Sequence, residues 1–146
     1  MWSRLFSKKD TPQIEQLNKE LENLLKKSNS EFITVVGING KIKGLDIMTV
    51  ASNKQSMFGA KQIKRFAAKA AEFFLRFKML EFMPPEVESP VKGIRFYYNK
   101  EMSFFIVPVT TSFVLLTYNS IGIRVVNNIN KVREILVNLE QGGDEE

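Results

Sequence analysis

Neither cysteine nor histidine occurs in this sequence of 146 residues. Without cysteine there are no disulfides, no thiolate nucleophile and no zinc–sulfur site. Without histidine, the usual general base near neutral pH and the commonest transition-metal ligand are both missing. Carboxylates and lysines remain, so the absences narrow the enzymatic possibilities without closing them. Long hydrophobic runs are missing too, since none approaches the ~18–20 residues that cross a bilayer. At the N-terminus Arg4, Ser7, Lys8, Lys9 and Asp10 interrupt Trp2, Leu5 and Phe6, so no secretory core forms. The expectation is a cytoplasmic chain with no cofactor and no metal.

With 44% hydrophobic residues, the chain has enough apolar material for the core of one domain. Its net charge of +5 is unevenly placed, with fifteen Lys/Arg against seven Asp/Glu over residues 1–80 and six against nine thereafter. A basic half suits nucleic acid, anionic lipid or an acidic protein surface, and equally a set of solvated lysines that aid solubility. The second reading is the simpler one.

Thr11-Pro12 reads as a helix start, with Ile14, Leu17, Leu21 and Leu24 at helical spacing through about residue 27. The β-branched run 32–38 meets Asn39-Gly40, a pair suited to a type I′ turn, and 41–47 returns as the partner strand. A polar connection, 49–57, leads to a long helix from about Gly59 to Phe82, which Pro84-Pro85 stops. Strand-like runs 91–98, 102–107 and 113–119 follow, joined by turns short enough for an antiparallel meander, with Pro108 at a strand end. Val125, Ile129, Val132, Leu136 and Leu139 mark one last helix. The expected organisation is a basic, aromatic tail (1–10), a mixed α/β (α+β) domain (11–140) in the order α-β-β-α-β-β-β-α, and a fraying acidic tail (141–146).

The long helix has more apolar surface than one sheet can cover. Lys61, Arg65, Lys69, Glu72 and Arg76 cluster in a narrow arc, and the remaining apolar arc, interrupted only by Lys64 and Lys78, spans roughly 200°, about twice the stripe a surface helix needs. Other parts of the chain could cover the surplus. A subunit interface is the favoured explanation, with Ala60, Ala67, Ala70 and Ala71 allowing close helix approach.

Chemical motifs are weak by comparison. Gly37, Gly40 and Gly44 lie in a hairpin and form no phosphate-binding loop. Lys61, Lys64, Arg65 and Lys69 read first as a solvated helix face. Lys92-Gly-Ile-Arg-Phe-Tyr-Tyr98 starts like an RNA-stacking strand, but Ile94 and Arg95 stand where the pattern needs an aromatic and a small residue. Asp46, Glu72, Glu101 and Glu134 show no spacing that forces an acid/base pair. No catalytic, cofactor-binding or metal-ligating residue emerges.

Taken together, the hairpin Val35–Gly44, the helix 59–82 and the meander Ile94–Tyr98, Phe105–Pro108 and Phe113–Leu116 resemble the roadblock family of dynein light chains and small-GTPase regulators. Asn119-Ser-Ile-Gly-Ile-Arg124 is similar to the approach that precedes the last helix in that family. The resemblance spans about residues 12–140. It implies a five-stranded antiparallel sheet in the order 2-1-5-4-3, with the long helix on one face and the first and last helices on the other. It further implies a homodimer, or a heterodimer with a related domain, with long helices packed together and third strands paired edge to edge. The interface would then include Ile63, Ala67, Ala70, Phe74 and Phe77 of the helix and Ile94, Phe96 and Tyr98 of the strand. The implied work is non-enzymatic: scaffolding or regulating a Ras-like small GTPase, or adaptor duty of the dynein-light-chain type. A nucleic-acid module using strand 94–98, or a profilin- or PAS-like small-molecule sensor, is the alternative. Trp2, Leu5 and Phe6 could add peripheral membrane or partner docking.

Three apolar residues cannot hold a core, so removing residues 1–10 is expected to leave the thermal midpoint nearly unchanged. Calorimetry on the truncated chain checks this; a loss of many degrees would mean that the tail packs into the domain.

Overall fold

A computed structural model describes residues 11–52, 58–79 and 92–144. The N-terminal tail, most of the connection 49–57 and the proline loop with its Pro84-Pro85 stop lie outside the described residues. Within them are helix α1 (Thr11–Lys27), strands β1 (Phe32–Gly37) and β2 (Asp46–Ala51), and the long helix α2 (Ala60–Met79). Strands β3 (Ile94–Tyr97), β4 (Ser103–Pro108) and β5 (Phe113–Tyr118) follow, then helices α3 (Gly122–Asn127) and α4 (Asn130–Asp144).

The strands form one antiparallel sheet in the order β2-β1-β5-β4-β3. Alternation along each strand divides the side chains between two cores. Ile33, Val35, Phe105, Val107 and Leu115 face α1, α3 and α4. Phe32, Val36, Ile106, Leu116 and Tyr118 face α2. Helix α1 docks through Leu17, Leu21, Leu24 and Leu25, all buried, each contributing roughly 1.5–3 kcal/mol by leaving water. Thr34 is buried on the α2 side, and its hydroxyl is satisfied by the Met48 carbonyl at 3.2 Å and Thr49 Oγ1 at 2.7 Å.

The first hairpin differs from the sequence expectation. Asn39 is extended (φ −138°), so Asn39-Gly40 forms no type I′ turn, which needs positive φ at both positions. Gly40 (φ 56°) instead opens a single 3₁₀ turn, Gly40–Ile42. The Ile38 N–H bonds to the Ser112 carbonyl at 2.9 Å, which draws the end of β1 toward β5. The two sides of the hairpin meet again where the Gly37 N–H reaches the Leu45 carbonyl at 3.0 Å and the Gly44 N–H reaches the Gly37 carbonyl at 2.8 Å. Strand β2 therefore starts at Asp46 and occupies residues 49–51, which the sequence reading placed in the polar connection. Val35 pairs with Met48 but Val36 with Asp46, leaving Ile47 as the extra residue of a bulge. The bulge lets adjacent Ile47 and Met48 both enter the α1-side core.

The C-terminal helix is two helices. The heptad-like series Val125, Ile129, Val132, Leu136 and Leu139 is buried as expected. The backbone breaks within it at Asn128, a weak helix former whose side chain caps the Arg124 carbonyl at 2.8 Å. Helix α4 continues to Asp144, into the stretch expected to fray. Arg133 ties α4 to the β4–β5 turn through the carbonyl of Val109 at 2.9 Å. Pro108 closes β4, where its missing N–H costs no ladder bond.

At Gly37 a side chain has no room. A Cβ there would collide with the carbonyl oxygen of Ile42 and come within 2.9 Å of its carbon, and both belong to backbone. Gly37→Ala is expected to lower stability by roughly 2–3 kcal/mol in urea titration. Gly59→Ala, with nothing within 4 Å of its added carbon, should stay within about 0.5 kcal/mol of the parent.

Candidate functional site

Helix α2 does not cover the sheet evenly. Ala67, Ala70 and Ala71 let it settle low over β2, β1 and β5, so β4 and β3 extend beyond its flank. The result is an open groove of about 350 Å³ between α2 and the β3 end of the sheet. Phe96, Phe104, Ile106 and Leu116 form its sheet side, and Phe66 and Phe73 its helix side. Phe73 stands edge-on to Phe96, ring centroids 4.1 Å apart, and Phe66 lies 4.9 Å from Phe104. Despite these contacts Phe73 remains 42% exposed. Charge is confined to the rim, where Glu72 binds Arg76 at 2.9 Å and reaches Lys69 at 3.8 Å.

Strand β3, four residues long, forms the outer edge of the sheet beside this groove and pairs only with β4 among the described residues. Arg95 fixes it from the opposite face. Its guanidinium donates to Ser103 Oγ at 2.8 Å and to the Ser120 carbonyl at 3.0 Å, and lies 4.8 Å from the centre of the Phe105 ring. Gly122 permits this, since a side chain there would press within 2.8 Å of Arg95 Nη2.

Most of the residues expected at a subunit interface gather in the core between α2 and the chain's own sheet. Ile63, Ala67, Ala70 and Phe74 are buried beneath α2 against the chain's own sheet. Phe77 is half-buried. Ile94 and Phe96 are half-buried on the groove side of β3, whereas Tyr98 lies beyond the strand, 80% exposed, with its N–H bonded to the Met102 carbonyl. Sequence reasoning missed Phe66, Phe73 and Phe104 as groove residues. The run of alanines was the available signal: small residues mark where a helix lies closest to its own sheet as readily as where it meets a second helix.

Nothing in the groove suggests bond-making chemistry. Among the described residues no three Asp or Glu side chains gather as metal ligands, and no helix is long and apolar enough to cross a membrane. Tyr118 sits in the aromatic cluster with Phe32, Phe58 and Phe104. Burial, then the charge of Glu31, pushes its phenol above the ordinary value against a hydrogen bond with Asn119, so it stays neutral.

No family model matches the sequence, and no curated protein matches it. Solved structures do. The gliding protein MglB of Thermus thermophilus superposes with a TM-score of 0.68 at 11% identity, over 89% of this chain and 92% of that one. MglB of Myxococcus xanthus gives 0.62 at 15%, over 87% and 96%. A Roadblock/LC7 domain from Streptomyces avermitilis gives 0.61 at 10%, over 82% and 96%. The chain has the roadblock fold.

Ala70 is 5% exposed under its own sheet, so Ala70→Glu would bury a carboxylate without a partner. The expected outcome is loss of about 3–5 kcal/mol, with circular dichroism reporting unfolding rather than a folded monomer.

Proposed function

We propose that this roadblock-fold chain is a non-enzymatic, dimeric interaction module that scaffolds or regulates a Ras-like small GTPase. The observation that carries the reading is the apolar groove beside the edge of β3 that no other described strand pairs with. A second copy can satisfy both at once. Antiparallel pairing of two β3 edges would continue the sheet across the two-fold axis and occupy backbone groups that otherwise invite aggregation. The same operation sets each α2 beside the other's groove, where Phe73 and Phe96 supply aromatic anchors of the kind that dominate interface energetics. A fold shared with a Roadblock/LC7 domain supports the GTPase part of the reading, because regulation of such GTPases is work the roadblock resemblance implies. The reading needs no catalytic side chain from this chain, only a surface assembled from paired subunits.

The alternatives fit less well. A small-molecule sensor needs polar groups converging on its ligand, whereas the groove's charges lie at the rim and bind one another. A nucleic-acid strand needs its aromatics on one platform. Here Phe96 lines the groove while Tyr97, next along the strand, turns to the other side and is 73% exposed.

Sedimentation should find a dimer at tens of micromolar protein. Phe73→Glu should leave the circular dichroism spectrum intact, since Phe73 is already partly in water, while weakening association by about thirtyfold or more. Pull-down of Ras-like GTPases loaded with GDP or a GTP analogue should depend on nucleotide and fail with the monomeric variant. A monomeric parent, or nucleotide-independent capture, overturns the corresponding half of the reading.

A further inference from the structure

From the rim of the groove outward, the exposed side of α2 gathers a set of cations that secondary structure alone does not assemble. Lys61, Lys64 and Arg65 are exposed on the first two turns, Lys69 and Arg76 further along. Arg76 and Lys69 share Glu72, the helix's one carboxylate, and keep side-chain exposures of 77% and 83%. The hairpin connection adds two more. Gly44, at φ 82°, brings the backbone so near α2 that an added Cβ would stand 3.5 Å from Ala68 Cα. Lys41 and Lys43, exposed in the same connection, lie within three residues of that contact. Asp46, which follows, turns a carboxylate oxygen inward to a buried position and so offsets little of the charge outside. Among the described side chains, one layer of the molecule thus presents seven cations and one exposed carboxylate, an imbalance larger than the net +5 of the entire chain.

We propose that this α2 face, with Lys41 and Lys43 beside it, docks on an anionic phospholipid surface. Three features favour a bilayer over an acidic protein. Five of the seven cations are lysines, a residue depleted from protein–protein interfaces but effective in the diffuse attraction of a charged membrane. The centre of the face holds Arg65, Ala68 and Glu72 and no aromatic anchor around which a protein interface could desolvate. The helix lies along the sheet, so its charges project together from one side of a layer, the geometry a plane of headgroups requires. The inference does not depend on the proposed dimer, although two α2 helices set side by side would double the charge on one plane.

The test is flotation of the full-length protein with phosphatidylcholine vesicles, with and without phosphatidylserine. Binding is expected only with phosphatidylserine and should weaken as salt is raised. Each Lys or Arg near such a surface contributes a factor of about five, so the combined change K61E/K64E/R65E should lower partitioning by at least a hundredfold, with circular dichroism unchanged. Lys131→Glu, on α4 across the sheet, should have little effect. Absence of binding to phosphatidylserine vesicles, or equal binding to pure phosphatidylcholine, overturns the proposal. So does unaltered binding by the triple variant when replacement of Trp2, Leu5 and Phe6 by serine abolishes it, because the tail would then be the anchor. Tighter binding to a short DNA duplex than to vesicles of equal phosphate content would assign the face to nucleic acid instead.

Discussion

A single helix cannot cover one face of a five-stranded sheet, and much of this molecule is arranged around that shortfall. Neighbouring strands are about 4.8 Å apart and a helix is about 10 Å across, so α2 shields two or three strands at best. Its alanines bring it down over β2, β1 and β5, the centre of the fold and one edge. The opposite face carries α1, α3 and α4 and is covered more completely. The groove by β3 is the portion of the α2 side that the chain's own helix does not reach.

That asymmetry separates what stabilises the chain from what it can offer a partner. Buried leucines, valines and isoleucines on both sides of β1 and β5 provide most of the apolar burial. Toward β3 burial falls off, and the strand's residues are half-buried or exposed. Arg95 compensates on the other face, joining β3 to β4 and to the approach of α3 through two hydrogen bonds and a ring contact. The edge strand is thereby held in place while its outer backbone pairs with no other described strand. Charge follows a similar division, with cations collected on the outer side of α2 and apolar rings on its flank.

Local patterns were legible in the sequence because they depend on local physics. Helical spacing of leucines located α1, β-branched runs located the central strands, and Pro108 marked the end of β4. The strand order followed from the family resemblance carried by the meander, since periodicity alone does not specify which edges meet. The first hairpin misled because Asn39-Gly40 has an intrinsic preference for a tight turn, but Ile38 gains burial and a bond to Ser112 by following β5 instead. The C-terminal series misled in another way: a side-chain periodicity can persist across a backbone break, and here it spans Asn128.

The candidate site was legible only as a surplus. An apolar arc too wide for one sheet follows from composition and helical geometry, and Phe73, 42% exposed, is its large side chain most open to water among the described residues. Which part of the arc faces inward depends on the rotation of α2 about its axis, and helix propensity says nothing about that. Tertiary packing decided it: the alanine side fits closest to β1 and β5, so Ala67 and Ala70 turn inward and Phe73 turns out. The cationic face has the same origin. The sequence by itself determined a row of basic residues on one side of a helix. Only the fold, through the close approach of Gly44 to Ala68, brought the connection that carries Lys41 and Lys43 against that helix, because residues so distant in sequence become neighbours only when the chain packs.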